Sequence, residues 1–218
     1  MKKFFAGILA AVGISANAQP ETEMIDVNSI LYSMPTISGD ALEFVVPTKE
    51  TFEGAPEFHE DEWCQLEFFP QSELEDLKKK LDEYKKFEQN NRASSGWKNI
   101  YVRNIPRVGF RLKLKDLGLI EGAVFHPSPL LTTASSLLGQ VKGGFSVSIG
   151  DGALLYGISE GEIIKSLAAS VYSDAGNIAL TDALMSLDSK EKLMVVDWRG
   201  QMIIMGSPRD GKLEVWKP

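Results

Sequence analysis

Residues 145–156 read FSVSIGDGALLY, and this segment carries a clear signal for a β-hairpin. Two runs rich in apolar residues, 145–149 and 153–156, lie on either side of Gly150-Asp151-Gly152. Glycine adopts the positive φ angles that tight hairpin turns require, so this turn between two such runs predicts antiparallel pairing. The segment therefore predicts that the fold contains an antiparallel sheet.

The C-terminal part of the chain predicts further strands. Three short apolar runs occupy 193–198, 202–205 and 213–216, and turns at Arg199-Gly200 and Asp210-Gly211 join them. Consecutive short strands that are separated by tight turns pair with their neighbours in the sheet. The chain is therefore expected to end in a β-meander.

The clearest helix lies in the first half of the chain. Ser72, with Glu75 three residues later, forms the sequence pattern of a capping box. The apolar residues that follow keep helical spacing, namely Leu74, Leu77, Leu81 and Tyr84. Acidic residues open this segment and lysines come near its end, which agrees with the helix dipole. The helix is expected to end near Asn90 or Asn91.

Three more helices are predicted along the chain. Residues 128–139 begin with Ser-Pro, a favoured N-cap and first helical position, and they end in glycine. Residues 159–171 begin with a second capping-box pattern and continue as an apolar run. Residues 178–187 are the third of these helices.

Four other segments are predicted as strands, namely 41–46, 63–69, 97–103 and 107–115. In the last of these, Arg107, Arg111, Lys113 and Lys115 alternate with apolar residues. Such a basic row protects a sheet edge or pairs with an acid such as Glu67 on a neighbouring strand.

These elements define the fold class. Strand pairs followed by single helices, with a closing meander, predict an α+β fold: a largely antiparallel sheet with about four helices packed on one face. Strict alternation of strands and helices, the pattern of a parallel doubly wound sheet, is absent. One globular domain is expected over residues 19–218, with an irregular lead-in at 19–40 that contains prolines and a glycine.

The first 18 residues have the pattern of a cleavable signal peptide. Lys2 and Lys3 precede an apolar run over 4–14, and Ala16-Asn17-Ala18 is a small-x-small cleavage site, so the mature chain is expected to begin at Gln19. A short, lysine-led signal of this kind is typical of bacteria and predicts a periplasmic or secreted protein. The single cysteine, Cys64, lies far from this site, so a lipid anchor there is not expected.

Net charge narrows the classes of partner. The chain holds 23 basic and 30 acidic residues, a net charge of −7 at pH 7. An acidic protein is repelled by nucleic acids and anionic membranes and attracts cationic partners. No segment after the signal approaches the ~20 apolar residues of a membrane helix. The expected partner is another protein that is basic and carries a net positive charge, with no nucleic acid and no membrane insertion.

An acidic segment, residues 50–62, is the candidate binding surface. It holds six carboxylates without one Lys or Arg, and Phe52, Phe58 and Trp63 bracket it with aromatic rings that look exposed in the sequence. Charge next to exposed aromatic rings suits the binding of a basic protein. The candidate binding residues are Glu57, Phe58, His59, Glu60, Asp61, Glu62 and Trp63. Residues 59–62 also contain the ligand types of a divalent metal site, but adjacent loop side chains point in different directions, so no metal is predicted.

Catalytic groups are few. Cys64 would become a nucleophile if His126 lay beside it, as thiol hydrolases require, although the apolar strand neighbours of Cys64 predict a buried, inert thiol. Phosphate-binding glycine loops and paired-cysteine zinc motifs are missing from the sequence, so no cofactor is predicted.

Three hypotheses of function follow. The first is an exported protein that acts by non-covalent protein binding, for example an inhibitor or immunity-type protein against a cationic partner. The second is a periplasmic hydrolase that uses Cys64 with His126, or a pair of carboxylates from the acidic segment. The third is an envelope scaffold protein without a discrete site.

Overall fold

The computed structural model describes residues 31–107, 109–206 and 213–218. Within these residues it contains sixteen strands and four α-helices, and most of the strand pairs are antiparallel. The prediction of an α+β fold with a largely antiparallel sheet is confirmed. The signal peptide, the expected start at Gln19, the lead-in before residue 31 and the Asp210-Gly211 turn all lie outside the described residues.

The elements are numbered in chain order. The strands are β1 (Thr36–Ser38), β2 (Phe44–Val45), β3 (Glu57–His59), β4 (Leu66–Pro70), β5 (Arg92–Ala93), β6 (Gly96–Trp97), β7 (Tyr101–Arg103), β8 (Val124–His126), β9 (Leu130–Thr132), β10 (Leu137–Val141), β11 (Gly144–Ile149), β12 (Ala153–Glu160), β13 (Ile163–Val171), β14 (Leu193–Asp197), β15 (Met202–Gly206) and β16 (Leu213–Trp216). The helices are α1 (Lys49–Phe52), α2 (Leu74–Asn91), α3 (Leu114–Leu117) and α4 (Asp174–Asp188), and short 3₁₀ turns occupy Glu60–Glu62 and Gln71–Glu73.

One large sheet organises the molecule. Its eight strands follow the order β16-β15-β14-β4-β13-β12-β11-β8, and every neighbouring pair is antiparallel. The predicted hairpin is β11-β12, with Ile149 opposite Ala153, and the predicted meander is β14-β15-β16. Strand β4 comes from much earlier in the chain and lies between them, where it joins hairpin and meander into one sheet.

A smaller sheet packs against this one. It has the order β2-β10-β9-β3, with β3 parallel to β9. Leu131 and Val141 of the small sheet pack on Tyr156 and Ala168 of the large sheet. The segment predicted as an irregular lead-in contains β1, which runs parallel to β7 and buries Thr36.

Helices cover both faces of the large sheet, which corrects the expectation that they pack on one face. Leu193 and Val195 of β14 pack in the core that includes α4, whereas Met194 and Val196 pack in the core that includes α2. Successive side chains of a strand point to opposite faces, so α2 and α4 lie on opposite sides.

The predicted helix at 72–91 is confirmed as α2, and that at 178–187 as α4. The capping box predicted at Ser72 and Glu75 does not form, because the chain enters α2 through the 3₁₀ turn and Glu73 is an N-cap without a side-chain hydrogen bond. Helix α4 begins four residues earlier than predicted, and the Ser173 hydroxyl accepts a hydrogen bond from Gly176 N at 3.1 Å.

Two predicted helices are wrong. Residues 159–171 form the end of β12 and all of β13, and residues 128–139 contain β9 and the start of β10. A strand covered on both faces is apolar along its whole length, so its sequence also resembles a buried helix. Gly139 does not end a helix. It lies so close to β2 that a Cβ there would be 2.9 Å from the Val45 carbonyl oxygen.

The predicted strand at 107–115 is also wrong in its backbone. Its described residues form an irregular segment that leads into α3. The alternation still predicted burial correctly, because Phe110 and Leu112 are in the core while Arg111 and Lys113 are exposed. The strands predicted at 41–46, 63–69 and 97–103 are present in shortened form as β2, β4 and the pair β6 and β7. Among the residues that the structure describes, no helix has the length and apolar character needed to cross a membrane.

Candidate functional site

The acidic segment folds into short pieces of regular structure that fix the direction of its side chains. It contains the end of α1, strand β3 and the 3₁₀ turn Glu60–Glu62. In β3, Phe58 lies opposite Leu131 and points into the core, so Glu57 and His59 point away from it. His59 Nδ1 accepts a hydrogen bond from Asp61 N at 3.3 Å and thereby caps the turn.

Two of the aromatic residues predicted to bind a partner are buried, which corrects the expectation of exposed rings. Phe58 is 7% exposed and Trp63 is 2% exposed. Their rings pack against Tyr156, with centroid distances of 4.6 Å and 5.0 Å. Phe52, in contrast, is 51% exposed. Phe52 is therefore the aromatic residue of this segment that is available to a partner.

The acidic segment borders an open cleft of about 870 Å³. The cleft lies at the end of the large sheet where β4 begins and β13 and β14 end. It is lined by Gly54, Pro56, Glu57, Phe58, Glu62, Gln65, Leu66, His126, Ser148, Leu154, Tyr156, Ala169, Ser170, Val171, Tyr172, Asp197 and Arg199. Three of these residues are carboxylates, namely Glu57, Glu62 and Asp197, and Arg199 is the one permanent cation. We call it the acidic cleft.

An apolar surface adjoins the acidic cleft. A shallow depression shares Gly54 and Glu57 with the cleft, so the two are continuous, and its other lining residues include Pro47, Lys49, Phe52 and Glu53. Val46, immediately before it in the chain, is 91% exposed. Exposed apolar side chains beside a charged cleft are typical of interaction surfaces.

His126 also lines the acidic cleft, where its Nε2 lies 2.9 Å from Ser148 Oγ. A histidine in this position could accept the proton of the serine hydroxyl, as the base does in nucleophilic catalysis. Ser148 Oγ also lies 3.4 Å from the Val124 carbonyl oxygen. Among the described residues, no carboxylate contacts His126 Nδ1. The third group of a catalytic triad, which would orient the histidine, is therefore missing from this part of the chain.

Cys64 is not part of the acidic cleft, and the structure does not bring it together with His126 as the thiol-hydrolase hypothesis requires. Cys64 is fully buried, and its backbone N–H donates to Tyr156 Oη at 3.0 Å. Burial, reinforced by the nearby Glu67 carboxylate, raises the pKa of the Cys64 thiol well above its usual value. The predicted buried thiol is therefore confirmed.

We expect the Cys64 thiol to react with a thiol reagent at least about 100-fold more slowly in the native protein than in denaturant, because the reagent needs an opening of the core. Absorbance of a chromogenic disulfide reagent, followed with and without denaturant, measures both rates. Rapid stoichiometric labelling of the folded protein would contradict the expectation and return Cys64 to the candidate catalytic residues.

A network of buried charges lies beside Cys64. Arg107 donates to Glu67 and to both carboxylate oxygens of Asp40, with a distance of 3.0 Å for the Nε–Oδ1 contact. Arg103 donates to the Thr36 hydroxyl at 3.0 Å and to the Cys64 carbonyl oxygen at 2.9 Å. The expected pairing of Arg107 with Glu67 is present, although it is buried and not on an exposed strand face.

Three potential metal ligands meet in this network. Asp40, Cys64 and Glu67 are the one set of three potential ligands, within residues 31–107, 109–206 and 213–218, whose ligand atoms lie within 4.8 Å of one another. Arg107 already supplies a positive charge to both carboxylates, and burial raises the pKa of the Cys64 thiol well above its usual value, so both features disfavour a metal ion here. The network therefore serves to hold the segment around Asp40 to β4.

Comparison of the chain with protein-family models, with curated proteins and with solved structures found no match.

Proposed function

We propose that this protein acts by binding a cationic protein partner without covalent chemistry, as an inhibitor or immunity-type protein does. The partner is bound along the acidic cleft and the adjoining surface of Val46 and Phe52. The observation that supports this proposal is the continuity of an exposed aromatic residue with a cleft whose charged lining is mainly carboxylate.

Charge and apolar surface have different roles in such an interface. Glu50, Glu53, Glu57 and Glu62 are all exposed, and none forms an ion pair with a described residue. Exposed charges of one sign accelerate encounter with an oppositely charged protein. Phe52 provides the kind of aromatic anchor that contributes most of the binding energy at interfaces.

The open shape of the acidic cleft supports a binding role over a hydrolase. Enzyme sites exclude water and place a nucleophile, a base and an orienting group together. Here the Ser148–His126 contact lies in an open groove without the orienting group, and Cys64 lies outside the groove.

Neutralising the four carboxylates Glu50, Glu53, Glu57 and Glu62 with Gln should slow association with the partner by roughly tenfold at low salt and flatten its salt dependence. Phe52→Ala should instead accelerate dissociation by at least about fivefold, because loss of an aromatic anchor costs more than about 1 kcal/mol. Affinity capture from the native envelope with mass spectrometry identifies the partner, and surface plasmon resonance gives both rates.

The matched control neutralises Asp82, Glu121, Glu162 and Glu214, which are exposed, form no ion pair with a described residue and do not line the acidic cleft. This control changes the net charge by the same amount as the first variant, and it should alter the association and dissociation rates by less than twofold. The unfolding temperature of every variant should stay near that of the parent protein. Unchanged association and dissociation rates in both the Gln variant and Phe52→Ala would show that the partner does not bind along this surface.

A further inference from the structure

A second cavity, distinct from the acidic cleft, lies between the segment that contains β1 and the small sheet. It has a volume of about 440 Å³. Its walls are mainly apolar and include Leu42, Phe44, Trp63, Ile100, Val102 and Leu138. This size and lining are typical of sites that bind small organic molecules. We call it the apolar cavity.

The walls of the apolar cavity are held in place by contacts between distant parts of the chain. Ile37 of β1 is paired with Val102 of β7, and Gly39 N donates to the Arg103 carbonyl oxygen at 2.9 Å. Trp63 Nε1 lies 3.4 Å from Asp40 Oδ2, which Arg107 also binds. The cavity is therefore already formed in the absence of a ligand.

The charged residues that line the apolar cavity are all carboxylates, namely Asp40, Glu60 and Asp61. Asp40 is paired with Arg107, and Asp61 Oδ2 lies 3.5 Å from His59 Nδ1. Glu60 Oε1 is buried and has no hydrogen-bond partner among the described residues. Partial burial and the neighbouring Asp61 raise the pKa of the Glu60 carboxyl, and a positively charged ligand group placed beside Glu60 in the cavity stabilises its ionised form.

We infer that the apolar cavity binds a small amphiphilic amine, with its apolar body against Trp63, Phe44 and Leu138 and its ammonium group on Glu60. Charge complementarity selects this class of ligand. An anionic ligand would meet carboxylates alone, and a neutral ligand would gain no attraction from their charge. The inference does not depend on the proposed protein partner, because neither Phe52 nor Glu57 lines this cavity.

The test is calorimetric titration of the purified protein at about pH 8 with three ligands of matched shape: 3-phenylpropylamine, 3-phenylpropanol and 3-phenylpropanoate. The amine is protonated and 3-phenylpropanoate is ionised at this pH. The amine should bind about tenfold more tightly than the alcohol, since a hydrogen bond between charged groups contributes more than one between neutral groups. The carboxylate ligand should not bind measurably.

Variants locate the site and keep the result independent of folding. Glu60→Gln should weaken binding of the amine about tenfold and leave binding of the alcohol unchanged, because it removes the charge and keeps the shape. Glu62→Gln, in the same 3₁₀ turn but outside the apolar cavity, is the matched control and should change neither. Ala41→Trp, at an exposed residue of the lining, should fill the cavity and abolish binding of both ligands.

Equal affinities for the amine and the alcohol, an amine affinity that Glu60→Gln does not reduce, or the absence of any binding would each overturn the inference. Thermal unfolding of each variant, expected within about 2 °C of the parent protein, establishes that the change is local. The proposed binding of a cationic protein is tested separately, by the association rate of the variant in which Glu50, Glu53, Glu57 and Glu62 are replaced with Gln.

Discussion

Replacing Arg107 with Met is expected to lower the free energy of unfolding by about 3–5 kcal/mol. Glu67 is 1% exposed, and Arg107 is its charged partner as well as that of Asp40. Met preserves most of the side-chain volume but removes the cation that is hydrogen-bonded to both carboxylates, and Arg103 remains as the nearby positive charge. Removing one partner of a buried ion pair is far more costly than removing an exposed pair, because the remaining charge stays desolvated.

Urea unfolding followed by tryptophan fluorescence measures this effect. Lys79→Met, which breaks the exposed pair with Asp76, is the control and should change stability by no more than about 0.5 kcal/mol. Adding Glu67→Gln to Arg107→Met should restore part of the loss, because it removes one unpaired charge and keeps the hydrogen bond from Trp198 Nε1. A loss below about 1 kcal/mol in Arg107→Met would show that water or other groups already solvate this network.

The second large effect is expected at Trp63. Trp63→Ala should destabilise the protein by about 3–5 kcal/mol, the usual range for removal of a buried large aromatic side chain. Trp63 is 2% exposed, packs on Tyr156 and lies against Asp40 through its indole N–H. Its truncation would therefore leave a cavity between the two sheets.

Phe52→Ala provides the contrast, since Phe52 is 51% exposed and its loss should change stability by no more than about 0.5 kcal/mol. Denaturant titration of both variants gives the two values. A small effect at Trp63 would mean that its ring is not part of the core and would restore it as a candidate anchor for a partner. The large effect instead identifies Trp63 as structural and Phe52 as the aromatic residue to test in binding.

The charge network also connects the apolar cavity with the stability of the fold. Arg107 and Arg103 hold the segment around Asp40 against β4, and that segment forms one wall of the apolar cavity. Variants that break the network are therefore expected to lose binding of the amine along with stability. The variants at Glu60 and Ala41 avoid this coupling because neither residue contributes to the network.

The candidate site was only partly predictable. Glu57, Glu62 and His126 were identified from residue type and do line the acidic cleft. Ser170, Tyr172, Asp197 and Arg199 join them there only because β13 and β14 end at the same edge of the sheet. A set of ordinary polar residues on strands that are distant in sequence has no pattern that would identify it in advance.

The sequence by itself determined the elements whose signals are local. The Gly150-Asp151-Gly152 turn, the C-terminal meander and the apolar stripe of α2 depend on backbone preferences and spacing within a few residues, and the structure confirms each of them within its described parts. The alternation at 107–115 likewise predicted that Phe110 and Leu112 are buried and that Arg111 and Lys113 are exposed.

Tertiary structure decided the features that depend on which other residues pack against a segment, namely whether an apolar run is a strand or a helix and which polar or aromatic side chains are buried. Residues 163–171 form strand β13 because β4 and β12 pair with its two edges and both of its faces are covered, and an apolar run alone is compatible with strand or helix. Phe58 and Trp63 are buried because the small sheet packs over Tyr156, and Arg107 is half-buried because it pairs with Glu67 of β4. These contacts join residues far apart in the chain, and local sequence spacing does not identify which distant residues will meet.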